Sequence, residues 1–154
     1  MTSIQYDDIF NSFLGNVTDY ELAALTVSNA YENMTEWLHK AVSTPYLRRL
    51  FSSIVLDDDT QVMTYELAVI VDDESDKEFV ISMLGKQMVY EWIHPRVNNV
   101  SNLNMFFGNK DQKFFSQAQH LSELRGIEED AYNSVRRMIR DRTYIWNDYI
   151  GGAS

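Results

Sequence analysis

Apolar residues recur every three or four positions through most of this chain, and that spacing constrains its fold more than any other feature. Residues three or four positions apart lie on one face of an α-helix, so each such repeat builds an apolar stripe for packing against a core. The first repeat predicts a helix over residues 19–42. Its stripe consists of Ala23, Val27, Ala30, Met34, Trp37 and Ala41.

Two further repeats predict two more long helices. The second helix is expected over residues 76–93 and is predicted to end before Pro95, because proline lacks an amide hydrogen and its ring clashes with the preceding turn. The third is expected over residues 114–142, with Gly126 weakening it by about 1 kcal/mol relative to alanine. Its stripe consists of Ala118, Leu121, Leu124, Ile127, Ala131, Val135 and Met138.

Local signals predict where several helices begin. In a capping box, a hydroxyl and a carboxylate or amide three residues later bond the free amide groups of a helix start. Three pairs match this pattern: Thr2 with Gln5, Thr18 with Glu21, and Ser75 with Glu78. Pro45 fits the first position of a short helix that carries Tyr46, Leu47, Leu50 and Phe51.

Residues 53–71 are open to two interpretations. Apolar residues at 54–56 and 62–67 flank an aspartate-rich turn, as in a β-hairpin, whereas the sequence TYELAVI at 64–70 fits a helix equally well. With the helices on either side, the expected fold is all-α: a helical bundle of four to five helices with a small irregular or hairpin insert. We expect residues 1–143 to form a single helical domain, followed by an aromatic tail at 144–154.

Composition limits the possible chemistry. The chain has no cysteine, which excludes disulfides and thiolate chemistry, and its net charge is −10. The first 77 residues hold 14 acidic and 4 basic residues, whereas the remainder holds 9 of each. An acidic protein repels phosphate backbones, so we do not expect nucleic-acid binding as the main task.

A basic group near the C-terminus is interpreted as favourable charge at the end of a helix. It consists of Arg136, Arg137, Arg140 and Arg142.

A doubled Glu-x-x-His motif is the strongest chemical signal. Glu36 with His39, and Glu91 with His94, repeat the spacing by which ferritin-like bundles hold two metal ions. Such a site also needs glutamates from two further helices, and the segment between the copies offers no long helix to carry them. We therefore expect solvent-facing side chains near helix ends, with no metal, no cofactor and no catalytic residue.

Aromatic residues are concentrated late in the chain. Phe106 and Phe107 precede a turn predicted at Gly108 and Asn109, and two more phenylalanines follow it. An aromatic tail follows the last predicted helix. Both segments could complete the core or bury against another subunit. The interface candidates are Phe106, Phe107, Phe114, Phe115, Tyr144, Ile145, Trp146, Tyr149 and Ile150.

The order of several segments resembles the head–tail connector or adaptor (neck) proteins of tailed bacteriophages. The segments are YDDIFNSFL at 6–14, LRRLFSSIVLDDD at 47–59, ESDKEFV at 74–80, EWIHPRVN at 91–98 and GNKDQKFFSQAQHLSELR at 108–125. This resemblance implies a non-enzymatic virion protein, made in the cytoplasm of a bacterial host. It implies a homo-oligomeric ring, of twelve subunits, between the portal protein and a downstream neck or tail protein. DNA would pass through the ring without specific binding, and no membrane is involved.

Two alternatives remain at this stage. One places the chain elsewhere in the particle, in tail completion or the baseplate. The other is a protein outside the particle, either a regulatory binding module or a ferritin-like di-metal carboxylate protein.

Overall fold

The computed structural model describes the backbone of residues 1–17, 27–107 and 112–145, and the side chains of residues 1–17, 32–98 and 121–142. Along the described chain lie β1 (Thr2–Gln5), α1 (Tyr6–Gly15), α2 (Val27–Ser43), α3 (Pro45–Arg48), β2 (Phe51–Asp57), β3 (Val62–Leu67), α4 (Asp73–Phe107) and α5 (Gln112–Ile145). The chain divides into two units, Met1–Glu91 and Trp92–Ser154. The structure is mostly helical, and a small antiparallel sheet corrects the expectation of an all-α fold.

The sheet has three strands in the order β1–β3–β2, and both pairings are antiparallel. Alternate residues of β3 are buried, namely Met63, Tyr65 and Leu67, because successive side chains of a strand point to opposite faces. The other face is solvated, and on it Ser3 and Thr64 are paired through their hydroxyl oxygens at 3.2 Å.

The β2–β3 hairpin confirms one of the two interpretations of residues 53–71. Its loop is closed by the side chain of Asp57, which accepts hydrogen bonds from the amides of Asp59 and Thr60 at 3.1 and 3.2 Å. Gln61 ends the loop with a positive φ of 56°. Near the other end of the hairpin, Ser52 is an extra residue that shifts the strand register as a β-bulge.

The first predicted helix start is wrong. Thr2 and Gln5 do not form a capping box, because residues 2–5 form strand β1 and helix α1 begins only at Tyr6. The strand forms because Ile4 lies opposite Met63 in the register, and both side chains are buried in the sheet face. The pair Thr18 and Glu21 lies outside the described residues.

Two other early helices follow the prediction more closely. In its described part, helix α2 extends from Val27 to Ser43, in agreement with the predicted end at 42. Helix α3 begins with Pro45 at its first turn, as predicted, but ends at Arg48. Phe51 therefore belongs to strand β2 instead of this helix.

The core of the first unit joins the sheet to the helices of that unit. Helix α1 contributes Tyr6, Ile9, Phe10 and Phe13, which lie on one face at helical spacing. Phe13 contacts Trp37 of α2, with ring centroids 5.5 Å apart. Among the described side chains of this unit, the other buried apolar side chains on helices are Met34, Leu38, Ala41, Val42, Leu47, Val80, Met83, Leu84, Met88 and Val89.

Helix α4 differs from its prediction at both ends. It begins at Asp73, with the carboxylate of Asp72 accepting a hydrogen bond from the Ser75 amide at 3.2 Å, so Asp72 takes the capping role predicted for Ser75. The helix also continues through Pro95 to Phe107. Proline removes only its own amide bond to the carbonyl of residue 91, and the buried residues Ile93 and Val97 continue the apolar face across it.

The second unit has a smaller described core. Helix α5 runs from Gln112 to Ile145, slightly longer at both ends than predicted. Its buried residues recur at helical spacing and include three members of the predicted stripe. The buried residues of this unit are Trp92, Ile93, Val97, Leu124, Ala131, Val135 and Ile139.

Candidate functional site

Three consecutive aliphatic residues are exposed immediately after strand β3. Val69, Ile70 and Val71 have relative exposures of 46%, 59% and 49%. The strand ends at Leu67 and helix α4 begins at Asp73, so this aliphatic run lies in the connection between them. Contiguous exposed apolar residues are uncommon on a monomer and are typical of surfaces that bind another protein.

A shallow recess of about 140 Å³ adjoins the aliphatic run. It lies beside strand β1 and the first turn of helix α4, and it combines apolar walls with acidic groups. The lining residues are Met1, Thr2, Tyr65, Glu66, Leu67, Ile70, Asp73 and Asp76.

Asp76 holds the aliphatic run against helix α4. Its side chain is buried, at 5% exposure, and its two carboxylate oxygens accept hydrogen bonds from the Val71 amide at 3.1 and 3.4 Å. A carboxylate in the first turn of a helix is also favoured by the helix dipole. The amide of the last aliphatic residue is thus anchored to the first turn of helix α4.

Acidic residues continue directly from the aliphatic run. Asp72, Asp73 and Glu74 are exposed at the start of helix α4. We call residues 69–74 the apolar-acidic segment. It offers a partner both hydrophobic contact and negative charge.

A hydrogen-bonded cluster connects three elements elsewhere in the first unit. The Tyr6 hydroxyl donates to Asp58 Oδ1 at 2.6 Å, and His39 Nε2 lies 2.9 and 3.0 Å from the two Asp58 oxygens. The cluster therefore ties the hairpin loop to helices α1 and α2. Sequence reasoning missed it, although a tyrosine on a buried helix face signals that its hydroxyl needs a partner.

The cluster also shifts two pKa values. Burial, together with the nearby Asp58 carboxylate, holds the pKa of Tyr6 above its ordinary value. The hydrogen bond from Tyr6, followed by that of His39, holds the pKa of Asp58 below its ordinary value. Both shifts favour a neutral tyrosine that donates to an ionised aspartate, which is the arrangement of a structural tie.

The doubled Glu-x-x-His motif is divided among separate contacts. In the first copy, Glu36 pairs with Lys40 at 3.3 Å while His39 bonds Asp58. In the second copy, Glu91 accepts a hydrogen bond from Gln87 at 3.1 Å. His94 lies 3.3 Å from Glu128, and it is well inside helix α4 instead of near its end. Among the described side chains, no group of three or more potential ligands is placed to hold a metal ion.

The described structure places the predicted interface residues only in part. Phe106 and Phe107 are the last two residues of helix α4, which was expected to end at residue 93. Phe114 and Phe115 lie in the first turn of helix α5, and Tyr144 and Ile145 are its last residues. The side chains of these six residues, and the whole of Trp146, Tyr149 and Ile150, lie outside the described parts.

An aromatic-basic row lies on the exposed face of helix α5. Tyr132, Arg136 and Arg140 are four residues apart, all three are exposed, and the Arg136 guanidinium lies 4.3 Å from the centre of the Tyr132 ring. Only Arg142 of the basic group lies in the last turn of the helix. The helix dipole acts over about one turn, so it does not account for arginines further back.

Compared with protein-family models, curated proteins and solved structures, the chain has no match in any of the three. In the part of the chain that the structure describes, no helix is long and apolar enough to cross a membrane.

Proposed function

We propose that the chain is a structural subunit of a tailed-bacteriophage particle, of the head–tail connector or adaptor class. In this role it forms a homo-oligomeric ring between the portal protein and a downstream neck or tail component, and it joins neighbours without catalysis. The observation that carries the proposal is the anchored, exposed aliphatic run at Val69–Val71, because a subunit that works by assembly keeps apolar groups on its surface for neighbours to cover.

Two further features support an assembly role. The segments that resemble connector proteins include strand β2, its loop and the start of helix α4, which frame the apolar-acidic segment. The phenylalanine pairs lie on either side of residues 108–111, at the end of one long helix and the start of the next. We propose that these pairs and the C-terminal aromatic residues contact neighbouring subunits, and that the helices complete a bundle in the ring.

The acidic surface also suits a passage for DNA. The net charge of −10 comes from the first half of the chain, and negative groups facing a lumen would repel the phosphate backbone instead of binding it. A ring whose lumen carried mainly Arg136, Arg137 and Arg140 would contradict this part of the proposal.

Locating the chain in an intact particle tests the function directly. Mass spectrometry of purified particles should find the chain among the virion proteins, and cryo-electron microscopy should place it as a ring beneath the portal. Particles assembled without it should contain packaged heads that lack tails. Its presence at the baseplate would move it to another structural post, and its absence from the particle would overturn the proposal.

A further inference from the structure

We propose that the apolar-acidic segment of one copy binds the aromatic-basic row of a second copy. The segment comprises residues 69–74 on the first unit, and the row comprises Tyr132, Arg136 and Arg140 on helix α5. This inference rests on the proposed assembly function and identifies the two surfaces through which copies would join.

The two surfaces are complementary in chemistry. Val69, Ile70 and Val71 offer aliphatic contact on one surface. On the other, the side chain of Tyr132 is 42% exposed and offers an apolar ring. Exposed aspartate and glutamate follow the aliphatic residues, just as exposed arginines follow the tyrosine. An apolar contact with flanking opposite charges is the ordinary composition of a protein interface, in which tyrosine and arginine are enriched.

The charge distribution favours a second copy over a nucleic acid as the partner. The first 77 residues carry 14 acidic against 4 basic residues, whereas the arginine row lies in the electrically balanced half. The half of the chain that carries the row has no net positive charge to attract a duplex, whereas another copy would present its acidic half as the attractive surface.

The surfaces also have compatible dimensions. Along a helix axis, Tyr132 and Arg140 are separated by about 12 Å at 1.5 Å per residue. Four residues such as 69–72 span at most about 13–14 Å when fully extended. One segment could therefore lie along the row.

Pairing of two different surfaces has a consequence for symmetry. When the surface on one copy binds a different surface on the next, the contact repeats from copy to copy and generates a ring or a filament. Such a contact is the kind that a connector ring requires.

Charge reversal tests the pairing. Asp73→Lys with Glu74→Lys makes the segment basic, and Arg136→Glu with Arg140→Glu makes the row acidic. Each double variant alone should associate at least about tenfold more weakly than the wild-type chain in sedimentation velocity at low salt, because attraction becomes repulsion at both positions. An equimolar mixture of the two variants should restore association, since each then meets an opposite charge.

The matched control is Asp7→Lys with Asp8→Lys. These aspartates are exposed in the first turn of helix α1, so the control has the same change in net charge at an equivalent helix position. It should associate like the wild-type chain. Thermal melting of all variants separates weakened association from unfolding.

Several outcomes would overturn the inference. They are a wild-type chain that stays monomeric at every concentration reached, a mixture that does not recover, or a control variant that weakens association equally. Two results together would assign the row to nucleic acid. The wild-type chain would bind a labelled DNA duplex that the Arg136→Glu with Arg140→Glu variant does not bind, and the mixture of variants would not recover association. Particle analysis distinguishes the two proposals. If the chain is present in the virion but this pairing is not observed, the connector role still holds and only the inferred contact is wrong.

Discussion

At the scale of single residues, Asp58 connects more of the fold than its position in an exposed loop suggests. Its carboxylate accepts a hydrogen bond from Tyr6, whose ring is fully buried, and it also bonds His39. The loop of a hairpin thereby gains fixed contacts with two helices. Loss of this carboxylate leaves the buried phenol without its acceptor, which costs more than loss of an exposed ion pair.

We predict that Asp58→Ala lowers the free energy of unfolding by about 1–2 kcal/mol, because the Tyr6 hydroxyl loses its acceptor. Urea unfolding followed by circular dichroism measures this. Asp59→Ala is the control: its side chain is exposed in the same loop, and we expect a change within about 0.5 kcal/mol. Equal effects of the two substitutions would show that the loop, and not the Tyr6 contact, sets the stability.

The same cluster predicts how stability depends on pH. The folded-state pKa of Asp58 is lowered, so its contribution is present above the unfolded value of about 4 and is lost as the pH falls below it. The folded-state pKa of Tyr6 is raised, so its contribution is present below about pH 10 and is lost as the pH rises further.

Unfolding series across pH test both directions. The difference in unfolding free energy between the wild-type chain and Asp58→Ala should shrink below about pH 4. The difference between the wild-type chain and Tyr6→Phe should shrink above about pH 10. A difference that stays constant with pH in both comparisons would contradict the ionised pairing.

At the scale of elements, Gly85 sets how closely helices α1 and α4 approach. A Cβ at this position would lie 2.8 Å from the Cβ of Ser12 and 3.0 Å from the backbone nitrogen of Phe13. Atoms of neighbouring elements do not pack this closely, so the helices would have to move apart.

We predict that Gly85→Ala destabilises the protein by about 1–3 kcal/mol through overpacking, despite the better helix propensity of alanine. Gly126→Ala is the matched control, since that glycine lies in helix α5 and, apart from the adjoining helix backbone, no described atom lies within 4 Å of the added Cβ. It should stabilise by about 0.5–1 kcal/mol. Thermal melts of both variants give the comparison, and a stabilising Gly85→Ala would refute the close approach.

The long helices could be predicted from sequence because their periodicity extends over many turns. Helix α5 differs from its prediction by only a few residues at each end. Strand β1 could not be predicted, because Thr2 with Gln5 satisfies a local capping pattern while pairing with β3 depends on residues far along the chain. Pro95 led to a wrong helix end for a related reason. Buried residues on both sides of it maintain a helix that the local effect of proline would end.

The proposed interaction surfaces were harder to predict than the helices. Ser75 with Glu78 indicated a helix start in this region, yet its place beside an exposed aliphatic run emerges only once β3 is known to end at Leu67. The Tyr6–Asp58 bond likewise joins residues that no local pattern relates.

At the scale of the whole molecule, removal of the aromatic C-terminal segment tests folding and assembly separately. We predict that removal of residues 146–154, which follow helix α5, leaves the helical content and the melting temperature unchanged but weakens self-association or incorporation into particles. Circular dichroism and sedimentation velocity measure the two properties separately. A large drop in melting temperature would instead assign Trp146 and Tyr149 to the core of the same chain.

The position of strand β1 has a practical consequence for how the molecule is made. Strand pairing of Thr2 with Tyr65 is possible only after Tyr65 has been synthesised. Strands β2 and β3 are neighbours in the chain and can pair first. Until β1 pairs with β3, one edge of the hairpin is uncovered. A purification tag fused ahead of Met1 would be carried at that edge and beside the recess, so tags for assembly experiments belong on a cleavable linker.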